Sequence, residues 1–249
     1  MPANALSTPL TVLTAAFAVG LGLVHLFVGK LEFLDRVPRS RWLSFAGGVS
    51  IAYVFVHIIP EIHNAVVTLE GWGPVAIFAE HHVYLIVLLG FVVFYGLEQY
   101  VEKSNAEARQ LGLDPSAGVF WIHVGSFAAY NALIGYLLVH QEEPGVVSVT
   151  TFAVAMALHF VVNDFGLRAH HGRLYHDYGR WVLSAAVLVG FGVGYAFEIA
   201  EQLVSVLFAF LAGGIILNVI KEELPAERES RFWAFALGAA GYAAVLLFV

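Results

Sequence analysis

The chain has 249 residues, of which 59% are hydrophobic types and 12% charged, with a mean hydropathy of +0.79. A soluble domain carries about 25% charged residues, so an ordinary soluble enzyme is excluded. The formal net charge of −7 removes the basic footprint of a nucleic-acid binder. The absence of cysteine excludes disulfide frameworks, cysteine zinc sites and iron–sulfur clusters.

About 20 apolar residues in a helix cross a hydrocarbon core of about 30 Å. Eight stretches qualify, at about 8–29, 43–60, 81–101, 117–139, 148–167, 181–199, 203–220 and 232–249. A membrane β-barrel would show short alternating segments instead, so the expected fold is all-α: a polytopic eight-helix transmembrane bundle, with residues 1–249 forming one integral-membrane domain. The second and seventh spans are short and run into polar, proline-containing ends, HIIPEIH and KEELPAE. No cleavable signal peptide is expected, because residues 1–10 lack a basic n-region. GFGVG (190–194) and LAGG (211–214) suggest closely approaching helices.

All twelve Lys and Arg fall in the loops after spans 1, 3, 5 and 7. The other loops carry Glu61, Glu70, Glu80, Glu142, Glu143, Glu198 and Glu201. The positive-inside rule therefore places both termini outside the cytoplasm, in a multi-pass protein of the plasma or inner membrane.

Ionisable groups at membrane depth are costly and usually face the protein interior or a wet cavity. Span 5 reads TTFAVAMALHFVVNDFGLRAHH. His159 and Asn163 share a helix face at i and i+4, and Asp164 flanks them. An imidazole, an amide and a carboxylate suit a divalent transition metal, although the same three groups also serve as polar glue between helices. Span 4 offers Asn131, with His123 two turns earlier. At the outer end of span 2, His57 and Glu61 stand at i and i+4 beside His63, where Pro60 must distort the helix. At the inner end of span 7, Glu222 and Glu223 precede Pro225. The stretch RAHHGRLYHDYGR adds three histidines and reads as a basic cytosolic loop.

Several of these segments together resemble the ZIP (Zrt/Irt-like) family of divalent-metal transporters. AYVFVHIIPEIH is similar to the family's His-Leu-Leu-Pro-acid end of helix 2, LSAAVLVGFGVG to its Gly-rich helix 6, and FLAGGIILNVIKEELPAE to the helix 7 segment entering Glu-x-x-Pro-Glu. The resemblance implies a transport site between helices 4 and 5. There His159 matches the first His of the family's His-Glu-x-x-His-Glu, Asn163 the second His and Asp164 the final Glu, while Asn131 matches the Asp of His-Asn-x-x-Asp-Gly. Phe160, Val162, Phe127 and Ala128 stand where the family has polar residues or proline, so at most one of its adjacent metal sites survives. His123 is positioned to compensate.

The expected function is inward transport of Zn²⁺, or of Fe²⁺ or Mn²⁺, as cargo. Glu61, His57 and His63 recruit the ion, His159, Asn163, Asp164, Asn131 and His123 hold it, and Glu222 and Glu223 draw it off. No organic cofactor is expected, no nucleotide-binding run occurs, and the partners are the metal ion and the bilayer, with a homodimer left open. Two alternatives stand beside this one. The first is a ZIP-like protein that binds or senses metal without transporting it. The second is a zinc-dependent intramembrane hydrolase using His159, Asp164, His170 and Ser126.

Overall fold

A computed structural model describes residues 8–30, 41–70, 79–111, 117–141, 145–223 and 231–247. Among these residues all regular structure is helical. The α-helices are α1 (Thr8–Phe27), α2 (Arg41–Tyr53), α3 (Ile59–Glu70), α4 (Ala79–Gln110), α5 (Ala117–Leu137), α6 (Val146–Leu174), α7 (Arg180–Ala196), α8 (Glu201–Glu223) and α9 (Phe232–Leu247). Spans 4 and 5 of the sequence reading are α5 and α6. Six helical runs are long and apolar enough to cross a membrane, and α9 is a shorter apolar helix.

Two of the boundaries that differ from those read in the sequence have a backbone cause. The second span does not stop at Pro60 but runs without a break from Arg41 to Leu69. A proline inside a helix removes one N–H and crowds the carbonyl four residues back. A π-helical turn over Val54–Ile58 directly before Pro60 widens the helix there, and α3 continues for almost three further turns. Likewise, residues 168–180 are not a loop. Val146–Ala196 is one 51-residue helical run, broken at Gly172, whose φ of 47° and ψ of −112° lie where only glycine sits without strain.

Around Gly172 the chain reverses. His171 meets His123 near the start of α5, while Ser148 at the start of α6 reaches Gln141, beyond the end of α5, so α5 and α6 are antiparallel. Gly179 and Gly194 lie beside Phe120 and Tyr136, so α7 runs alongside α5 in the same direction. The 51 residues are therefore two legs, divided where the sequence placed a loop.

Close helix approach is built from reciprocal glycines. Gly48 of α2 faces Gly238 of α9, Gly90 of α4 faces Gly213 of α8, and Gly135 of α5 faces Gly190 of α7. A Cβ added to any of the six would lie 1.8–2.2 Å from a backbone oxygen of the opposite helix. Without a hydrophobic driving force between helices in lipid, such small-residue seams are what let backbones meet and gain dispersion energy.

The packing also sorts the chain ends. Arg168 lies against Gly29, Lys221 pairs with Glu98, Asn105 bonds the His170 carbonyl, and the Arg231 amide donates to Ser44 Oγ. These basic residues thus gather at one end of the bundle. The opposite end is closed by His140 donating to the Gly194 carbonyl, by Ile199 N–H donating to Tyr136 and by Tyr242 donating to Thr151. The flanks are apolar: α4 alone exposes Leu85, Leu88, Leu89, Val92 and Val93. Exposed apolar surface of this extent is a membrane-facing surface, and the chain is a multi-pass helical membrane protein in architecture.

Candidate functional site

Buried polar groups from five helices line the inside of the bundle. The deepest is a three-residue set linking α1, α5 and α6. His25 Nδ1 lies 2.8 and 3.0 Å from the two carboxylate oxygens of Asp164, and Asn131 Nδ2 lies 3.0 Å from His25 Nε2. All three residues are essentially sealed from solvent. With Nδ1–H donating to the carboxylate, Nε2 carries the lone pair and accepts from the Asn131 amide. A carboxylate that fixes one nitrogen of an imidazole and aims the other is the outer-shell pattern of metal-binding histidines. Asp164 therefore orients His25.

His159 and Asn163 form the second pair. Asn163 Nδ2 lies 2.9 Å from His159 Nε2, as the i, i+4 spacing predicts, and the ring of Tyr130 packs edge-on against His159 at 5.7 Å between centroids. The Tyr130 hydroxyl is buried and has no hydrogen-bond partner among the described residues. Phe160, standing where the family pattern has a glutamate, packs on the His25 ring at 4.4 Å.

His123 does not join this pair. Its Nδ1 lies 2.8 Å from His171 Nε2 and its Nε2 lies 3.3 Å from Glu98 Oε2. The other Glu98 oxygen lies 3.3 Å from His170 Nε2 and is ion-paired with the Lys221 ammonium. Glu102 is one turn further along α4, and one ligand atom each from Glu98, Glu102 and His170 lie within 4.8 Å of one another. A cavity of about 10 Å³, lined by Glu98, His123, Asn163, His170, Asn218 and Lys221, joins this group to Asn163. That is room for about one water.

Towards the other end, His57 and Glu61 are half-buried and His63 is exposed. They lie inside the continuous Arg41–Leu69 helix and not at its terminus. Tyr53 packs on His57 at 4.8 Å and lines a cavity of about 20 Å³ whose other walls include Ile58, Tyr130, Phe152, Met156 and Leu211. This apolar-lined cavity lies between Tyr53, which touches His57, and Tyr130, which touches His159. Glu222 and Glu223 belong to the last turn of α8, but their side chains lie outside the described residues.

The sequence reading missed His25, Glu98 and Glu102 altogether and placed His170 and His171 in a loop. A lone histidine in LVHLF and a glutamate in YGLEQY are ionisable groups at membrane depth, a signal available for both. His25 has no spacing partner on its own helix, whereas Glu98 and Glu102 stand at i and i+4 on α4, a pairing the sequence does carry.

No protein-family model matches the chain, and no curated protein is significantly similar to it.

Proposed function

We propose that the chain is a ZIP-like bundle of eight crossings, with both termini outside, that moves a divalent metal ion such as Zn²⁺, Fe²⁺ or Mn²⁺ toward the cytoplasm between α5 and α6. The observation that carries this reading is the continuity of the polar groups. From the His159–Asn163 pair they pass through the small cavity to Glu98, His123 and His170 at the basic end, whereas the cavity on the other side is lined by apolar and aromatic residues. The positive-inside rule makes the basic end cytoplasmic, so the polar side of the His159–Asn163 pair faces inward. The eight crossings are α1, the α2–α3 run, α4, α5, α6, α7, α8 and α9, with Gly172 dividing the long run.

In this reading His159 and Asn163 are the mid-membrane ligands, His25 is an additional imidazole held ready by Asp164, and Glu61, His57 and His63 gather the ion outside. Few, neutral and exchangeable ligands suit passage better than a closed four-ligand cage, which holds zinc as structure. The hydrolase alternative has less support, since the Ser126 hydroxyl donates to the His123 carbonyl at 2.7 Å and is not poised as a nucleophile.

A metal-binding or structural bundle without transport is the second reading. Its support is that His25, Asp164 and Asn131, and likewise His159 and Asn163, hydrogen-bond to one another, as polar groups that tie helices together do. Purified protein in liposomes separates the two. Uptake of Zn²⁺, Fe²⁺ or Mn²⁺ that is lost in His159→Ala supports transport, and wild-type liposomes that take up none of the three sink it.

A further inference from the structure

We propose that Glu98, Glu102 and His170, with His123 alongside, form a divalent-cation site at the basic end of the bundle, and that the Lys221 ammonium is a tethered occupant that an arriving cation displaces. The site is separate from the His159–Asn163 pair and stands whether or not the bundle transports anything.

The argument starts from Glu98. It is 6% exposed, and a carboxylate taken out of water needs a counter-charge. Three nitrogens converge on it. His170 Nε2 stands 3.3 Å from one oxygen and His123 Nε2 3.3 Å from the other, and Lys221 shares the first oxygen with His170. A zinc ion bound at about 2.1 Å to oxygen and nitrogen in tetrahedral geometry spaces its ligands about 3.4 Å apart. The His170–Glu98 separation already matches one edge of such a polyhedron. The Glu102 oxygen, within 4.8 Å of the other two ligand atoms, closes onto the ion by rotation of an exposed side chain.

Charge decides which occupant the site favours. Two carboxylates face a single ammonium here, and a divalent ion offers them one more positive charge than Lys221 does. A divalent ion matches both carboxylates. Lys221 is about one-quarter exposed and its ammonium sits on a flexible four-carbon stem, so it can swing to solvent when the ion enters. His123 is set for the role of supporting ligand, because its second nitrogen is held at 2.8 Å by His171 and a fixed tautomer is what orients a metal-binding imidazole. Hard oxygen and borderline nitrogen donors together favour Zn²⁺ or Mn²⁺ over Ca²⁺.

The test is equilibrium binding of Zn²⁺ alone and of Mn²⁺ alone to the full-length protein in detergent, read by competition with a chelating dye. It is run in wild type and in a His159→Gln background, which removes the mid-membrane imidazole. Glu102→Gln, at an exposed position that the fold does not depend on, should weaken one equivalent of binding about tenfold or more in both backgrounds, and His170→Ala should do the same. Lys221→Met should tighten that same equivalent several-fold, because the internal competitor is gone. Glu98→Gln combined with Lys221→Met removes the carboxylate and its counter-charge together and should lose the equivalent. Unchanged binding in Glu102→Gln, or weaker binding in Lys221→Met, overturns the proposal. Loss of the equivalent in His159→Gln alone would assign it to the mid-membrane pair and overturn it as well.

Discussion

His25 of α1 and Asp164 of α6, 139 residues apart in the chain, are joined through the His25 Nδ1 at 2.8 and 3.0 Å from the two carboxylate oxygens, with both side chains sealed inside the bundle. This contact gives Asp164 a partner on another helix. As a free carboxylate beside His159 and Asn163 it would supply the charge that offsets a divalent ion. Held by His25, it fixes the first helix to the sixth and sets which imidazole nitrogen looks toward Asn131.

Breaking the pair from either side should be costly, because the remaining partner is left buried and uncompensated. Asp164→Asn and His25→Leu should each destabilise by about 3 kcal/mol, and the double substitution should cost clearly less than their sum, since the two act as one unit. Denaturant unfolding in detergent micelles checks this. An Asp164→Asn protein within about 0.5 kcal/mol of wild type, the range of a surface change, would mean the pair contributes nothing to the fold.

At the far end, one turn from His57 and with an apolar-lined cavity on the path towards His159, Glu61 is half-buried within the Arg41–Leu69 helical run. If it gathers cations without taking part in the crossing step, Glu61→Gln should raise KM for uptake more than it lowers the maximal rate. Initial rates in liposomes over a range of Zn²⁺ concentrations give both numbers. Equal KM values would leave Glu61 as a polar helix residue with no part in capture.

What the sequence made legible follows from how local each signal is. The apolar runs mark the helices because about 20 hydrophobic residues have few other uses, and His159 with Asn163 could be paired because i and i+4 lie on one face. The helix ends were misread where a local breaker is accommodated. Pro60 is absorbed by the π turn at Val54–Ile58. Gly172 reverses the chain without a loop, so the Arg-rich stretch around it looked like a connection. His25 escaped because its partners are on other helices, and no spacing rule reaches across 139 residues, whereas Glu98 and Glu102 stand at i and i+4 on α4 and were readable as a pair. The glycine signal was half legible. GFGVG and LAGG announced Gly190 and Gly213, but their counterparts Gly135 and Gly90 sit alone in apolar runs.

The seams give a sharp contrast between neighbouring glycines of α7. A Cβ at Gly190 would fall 1.8 Å from the Ala132 carbonyl oxygen, whereas one at Gly192 meets nothing within 4 Å. Gly190→Val must push α5 and α7 apart and should cost about 3 kcal/mol or more. Gly192→Ala removes helix-interior glycine entropy and should stabilise by about 0.5–1 kcal/mol. Melting temperatures of the two purified variants should move in opposite directions. A Gly190→Val protein as stable as wild type would show that the α5–α7 seam is not closed through this glycine.

The mid-membrane pair offers a prediction of opposite sign to a simple deletion. Asn163 Nδ2 occupies the His159 Nε2 lone pair at 2.9 Å, so an ion binding there must displace an amide hydrogen bond and gains only a neutral oxygen from Asn163. His159→Ala removes the imidazole and should abolish binding at this pair. Asn163→Asp replaces the amide by a carboxylate, and ligand charge count is a main determinant of divalent-ion affinity. It should tighten Zn²⁺ binding about tenfold, and it should slow release into the cavity shared with Glu98, so that uptake falls as affinity rises. Both quantities are needed: the dissociation constant for Zn²⁺ in detergent and the uptake rate in liposomes. Unchanged affinity in Asn163→Asp would remove this pair from the path of the ion, leaving the His159–Asn163 contact as interhelical polar packing.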